Sequence, residues 1–144
     1  MIQWRFLAFQ YFEESRPLDD WQRALGIESF NKFSAILEHL QVLPRNFWVR
    51  PQFDVLHGPQ YRGMGEIRFK GDGKVHRVFG WFGPERLQFT LLHGCVKQRR
   101  DLTAEMEIAR ERRDLVISHG WTVLYEFTFM GNVGTQAEEQ EIQG

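Results

Sequence analysis

A chain of 144 residues with 13 Phe and 5 Trp has the bulk for one hydrophobic core, since a domain of this size buries about two-thirds of the surface its unfolded chain exposes. A single cysteine, Cys95, excludes an internal disulfide and a thiolate cluster for zinc; no apolar run nears the roughly 18 residues that span a bilayer, and no signal-peptide layout opens the chain, so a soluble cytoplasmic protein is expected. The net charge of −1 hides an asymmetry: residues 1–59 carry six Lys or Arg against seven acids, residues 60–113 twelve against seven, and residues 114–144 none against five.

In chain order, Ile2 to Phe12 is dense enough in aromatic and aliphatic residues for a strand buried on both faces. Ser15 and Pro17 start a short amphipathic helix carrying Leu18, Trp21 and Leu25, stopped at Gly26. A second helix runs from Glu28 to about Val42 with Phe30, Phe33, Leu37 and Leu40 on one stripe, ended by Pro44, and the two predict a helical hairpin. Pro51, Gly58 and Pro59 break up residues 45–60, leaving a loop with one extended piece around Phe53 to Leu56.

Three alternating runs follow: Gly-Glu-Ile-Arg-Phe-Lys (65–70), His-Arg-Val-Phe-Gly-Trp-Phe (76–82) and Leu-Leu-His-Gly-Cys-Val-Lys-Gln-Arg-Arg (91–100). Gly71-Asp72-Gly73 and Gly83-Pro84-Glu85 join them into an antiparallel meander, with Glu66, Arg68 and Lys70 on one face and Ile67 and Phe69 on the other. Asp101 or Thr103 caps a helix that sends Met106, Ala109 and Val116 or Ile117 inward and Arg110, Arg112 and Arg113 largely outward. Gly120 ends it, and Trp121 to Phe129 alternates as a half-buried strand. These elements predict an α+β domain over residues 1–130, helices packed on one face of an antiparallel sheet, followed by a flexible acidic tail over 131–144.

The meander's Gly-Glu-Ile-Arg-Phe-Lys, His-Arg-Val-Phe and Leu-Leu-His-Gly-Cys-Val-Lys-Gln, followed by a helix with Glu105, Ala109 and Arg113, resembles the RelE/HigB-type toxins, particularly their phage-derived branch. The resemblance covers residues 60–118 by motif and 1–45 by element order. It implies a RelE-like fold, an antiparallel twisted sheet with an N-terminal helical hairpin and a C-terminal helix. It also implies the toxin of a type II toxin–antitoxin pair: a metal-independent endoribonuclease, without cofactor, that cuts mRNA in the A site of the 30S ribosomal subunit. Its partners would be a cognate antitoxin, mRNA and the ribosome, with no membrane.

Such chemistry turns the ribose 2′-hydroxyl on its own phosphate, so it needs cations for the developing charge and a group to move protons. By position, the resemblance makes Arg77 the transition-state cation, Arg68 and Lys70 phosphate ligands or a perturbed base, and Lys97 and Arg99 backbone contacts, with Arg100 beside them. His76 and His93 are candidates for acid–base work because imidazole titrates near neutrality. Being adjacent to Arg77 on a strand, His76 should face the other side. Some relatives carry a tyrosine in or near the last helix, where this chain has Met106; its later tyrosine is Tyr125.

Each feature also has a plainer structural reading. The arginines of 99–113 suit a solvated helix face, Cys95 a small buried hydrophobe, and Phe79, Trp81, Phe82 and Phe89 the core. His57, His76 and His93 show no metal-ligand spacing. The competing function is a non-catalytic module of the same fold docking on DNA, gyrase or a protein partner.

Overall fold

The computed structural model describes residues 1–97 and 101–129. Its elements are β1 (Arg5–Phe9), α1 (Pro17–Arg23), α2 (Ile27–Gln41), β2 (Phe53–Val55), β3 (Met64–Gly71), β4 (Lys74–Phe82), β5 (Gln88–Val96), α3 (Thr103–His119) and β6 (Leu124–Glu126), with 3₁₀ turns at Arg45–Phe47, Pro59–Tyr61 and Gly120–Val123. The six strands form one sheet in the order β2-β3-β4-β5-β1-β6. The result is a mixed α+β architecture.

Two expectations about the layers are corrected. The sheet is not wholly antiparallel, because β1 pairs in parallel with β5, in register from Arg5 opposite Gln88 to Ala8 opposite Leu91. After β1 the chain leaves through α1 and α2 and re-enters at the far edge with β2. Four antiparallel strands later, β5 arrives beside β1 in the same direction. Nor do the helices share one face. Leu18 of α1 and Phe33, Leu37 and Leu40 of α2 pack with Phe6, Phe69, Val78 and Phe89, whereas Ala109 and Val116 of α3 pack with Leu7, Phe9, Phe79 and Leu92. A sheet keeps one face wet only if that face is polar, and β1 and β5 carry apolar side chains on both.

The meander's first turn is the two-residue kind that matches strand twist. Asp72 and Gly73 have φ of 54° and 72°, the paired positive values of a type I′ turn, and Gly71 sits opposite Lys74. Between β4 and β5 the register slips: Phe79 faces His93 but Gly80 faces Leu91, leaving Leu92 as the extra residue of a bulge. Consequently Leu92 and His93 both turn towards α3. The strand expected over Trp121 to Phe129 is shorter. Gly120, at φ 61°, turns the chain into a 3₁₀ segment with Trp121 half exposed, and only Leu124–Glu126 pairs with β1. Phe127 and Phe129 still fill the core.

No described helix is long and apolar enough to cross a membrane. The acidic segment 131–144, Arg99 and Arg100 lie outside the described residues.

Candidate nucleic-acid interface

Antiparallel register aligns the meander's side chains into rows, and alternation decides which rows share a face. Glu66, Phe79 and His93 stand opposite one another across β3, β4 and β5, as do Arg68, Arg77 and Cys95. Lys70 opposes Val75, whose carbonyl accepts the Lys97 N–H at 2.8 Å and so extends the row one strand further. Successive rows lie two residues apart, about 7 Å along the strands, and all three project from the face on which α3 lies. Arg68, Lys70, Arg77, His93 and Lys97 therefore converge on one face.

Within the middle row the cations differ. Arg77 Nη1 donates to both oxygens of Glu66, at 2.8 and 2.9 Å, with the two side chains only 11% and 9% exposed. Its Nε, also buried, has no partner among the described residues. Arg68, 30% exposed, stands 3.7 Å from the same carboxylate. One carboxylate against two guanidiniums leaves a positive balance, and Lys70 is exposed. Here β3 outruns β2, and an open cleft of about 600 Å³ forms at the sheet edge, lined by Lys32, Ile36, Gln52, Arg68, Lys70 and Arg77. None of the described lining residues is acidic.

The first turn of α3 closes over the first row. His93 Nε2 is hydrogen-bonded to Glu105, and Arg112 Nη1 donates to the Leu92 carbonyl at 2.8 Å while standing 3.4 Å from His93 Nδ1. Burial holds the His93 pKa below its ordinary value, with the Glu105 hydrogen bond opposing and the Arg112 charge reinforcing. A neutral ring then donates from Nε2 and accepts at Nδ1. Beside it, burial pushes the Cys95 thiol up to about 12, so Cys95 is no thiolate nucleophile. Arg112 also leans on the rings of Phe9 and Tyr11, and Arg113 Nη1 reaches the Arg62 carbonyl. Arg112 fastens α3 to β5 and Arg113 fastens it to the turn before β3, contrary to the outward placement expected of them.

The family model described as phage derived protein Gp49-like (DUF891) matches residues 20–114, about two-thirds of the chain. The chain belongs to the Gp49-like family. That family is related to the RelE-like toxins. No curated protein and no solved structure matches the chain. All three rows, with Glu105 and Arg112, fall inside the Gp49-like match, whereas β1 and β6 lie outside it.

Two candidates sit elsewhere. His76 lies on the α1/α2 face, 4% exposed, stacked on Phe69 with ring centroids 4.8 Å apart. Its Nε2 lies 3.0 Å from Ser29 Oγ and 3.2 Å from the Gly71 carbonyl, while Ser29 Oγ donates to Asp72 at 2.6 Å. This chain, buried at His76 and Ser29 and exposed at Asp72, ties the start of α2 to the β3–β4 turn. Tyr125 lies on the same face and donates to Asp19 at 2.8 Å; burial and that carboxylate raise its pKa far above the ordinary phenol value. Glu105 and Glu66 are the residues sequence reasoning left without a role. Their signal was positional: Glu66 alternates with Arg68, and Glu105 opens the helix that follows β5.

Proposed function

We propose that this Gp49-like chain is the toxin of a toxin–antitoxin pair and an endoribonuclease acting on ribosome-bound mRNA. The observation that carries the reading is the row arrangement, which gathers Arg68, Lys70, Arg77 and Lys97 beside the His93–Glu105 pair on one face. Arg68, Lys70 and Lys97 are the phosphate contacts in this reading. Arg77, held buried by Glu66, contributes its charge to the field at the scissile phosphate without touching it. The His93–Glu105 pair moves the proton of the attacking 2′-hydroxyl, with Glu105, the more exposed partner, meeting the RNA. A cognate antitoxin would hold the toxin inactive.

The second reading is a docking module without catalysis. One observation favours it: both ring nitrogens of His93 are engaged and Tyr125 is buried away from the basic face, so neither of these two acid–base candidates stands free. Mapping of mRNA 5′ ends in a bacterial translation extract separates the two. The nuclease reading expects new ends with the wild-type chain, none when ribosomes are withheld, and few with Arg68→Ala or Glu105→Gln. Intact message under conditions where the chain is folded and present in excess would leave the docking module.

A further inference from the structure

Alternation along β5 puts His93 and Cys95 on one face, and Glu105, the third residue of α3, comes down on them. One His nitrogen, the Cys sulfur and one carboxylate oxygen all lie within 4.8 Å of one another, and each residue is partly open to solvent. Tetrahedral zinc holds its ligands at about 2.0–2.3 Å, which sets ligand atoms roughly 3.3–3.8 Å apart. Opening the His93–Glu105 contact and drawing Sγ in by about 1 Å would meet that geometry. We infer that His93 Nε2, Cys95 Sγ and Glu105 form a three-ligand site for a thiophilic divalent cation of the zinc type, with the fourth position open.

The ligand chemistry selects this class. A thiolate with an imidazole favours zinc over magnesium or calcium, which take oxygen ligands. Thiolate and carboxylate together bring the two negative charges that balance the ion, and the coordinating thiol releases its proton to solvent on binding. The neighbouring Arg77 is turned onto Glu66, which takes both of the hydrogen bonds from its Nη1. Arg112, bonded to the Leu92 carbonyl, steadies the strand beside the imidazole; coordination through Nε2 moves the ring proton to Nδ1, so Arg112 Nη1, 3.4 Å away, must draw back from the ring. A bound cation would occupy the Nε2 and carboxylate assigned above to proton transfer, so it is an alternative state of that pair and not its cofactor.

Cobalt(II) titration of the purified full chain tests the site without RNA or ribosomes, so it stands or falls apart from the nuclease reading. Expected are a sulfur-to-cobalt charge-transfer band, visible bands of a tetrahedral ion, saturation at one equivalent, and bleaching by zinc. Cys95→Ser should abolish the charge-transfer band, and His93→Gln and Glu105→Gln should each weaken binding at least about tenfold while circular dichroism confirms folding. Imidazole ¹⁵N spectra of the wild-type chain give a readout independent of any variant: zinc must shift His93 and leave the buried His76 unmoved. No charge-transfer band, an unchanged midpoint in either ligand variant, or an unmoved His93 would overturn the site.

Discussion

The two faces of the sheet carry the same strands and treat their polar groups in opposite ways. On the α1/α2 face, Ser29 and His76 are buried beneath the start of α2 and linked to Asp72 in the exposed β3–β4 turn, beside stacked aromatics such as Phe33 and Phe69, 5.6 Å apart. On the α3 face, the helix covers the first row of the meander and leaves Arg68 and Lys70 beside a cleft at the sheet edge that α2 also lines. Adjacent residues therefore have different occupations: His76 is a strut and Arg77 belongs to the basic face. Residue type did not separate them; the pleat and the cover did.

The sharpest way to break the closed face is Phe33→Ala. Phe33 is fully buried between Trp21, Phe69 and Phe127, and its loss should cost about 3–5 kcal/mol in urea unfolding. A loss below about 1 kcal/mol would mean that α2 is loosely docked.

On the basic face the largest stability effect belongs to the buried ion pair. Arg77→Met takes away the bidentate partner of the Glu66 carboxylate, leaving Arg68 at 3.7 Å, and should cost up to about 3–5 kcal/mol, most of it recovered by Glu66→Leu in the same chain. Both proteins should lose activity, so thermal unfolding and RNA cleavage separate the pair's two roles.

Next is the polar chain of the closed face. Ser29→Ala removes the hydroxyl between His76 and Asp72 and should cost about 1–3 kcal/mol without touching RNA-dependent activity. It should also change the acid limb of stability. Hydrogen bonds from Ser29 hold Asp72 below its ordinary 3.8, so that stabilisation is complete above 3.8 and fades as the pH falls through the folded-state value. The gap between wild type and Ser29→Ala should therefore narrow on acidification, as melting curves across the pH range would show.

The smallest stability effect should come from Lys70→Ala. Lys70 is exposed, so its removal should leave unfolding within about 0.5 kcal/mol of wild type. Its effect should appear in RNA affinity, with a shallower salt dependence.

Much of the meander was legible because period-2 alternation is local: Arg68 and Lys70 had to share a face, and Arg77 and His76 had to part. The rest depended on pairing between distant segments. Nothing near Arg5–Phe9 announces a parallel partner at Gln88–Leu91, and that pairing makes both faces apolar and brings α3 to the opposite side from α1 and α2. The candidate cations were readable from the motif, but the partners that define them were not. Glu66 meets Arg77 diagonally on the neighbouring strand, and Glu105 reaches His93 only because α3 folds back over β5. Arg112 misled for the same reason: helical spacing gave it an outward position, yet the Leu92 carbonyl left facing α3 by the bulge supplies it with an inward partner.

In the function proposed above, the basic face and not the overall charge engages RNA. The most direct test compares Arg68→Ala/Lys70→Ala/Lys97→Ala with a control losing equal charge elsewhere, Arg5→Ala/Arg23→Ala/Arg86→Ala, by mapping mRNA 5′ ends in a ribosome-containing translation extract. New ends that persist with the control and disappear with the row variant are the predicted result. Equal loss in both, or cleavage that survives removal of Arg68, Lys70 and Lys97, would contradict it.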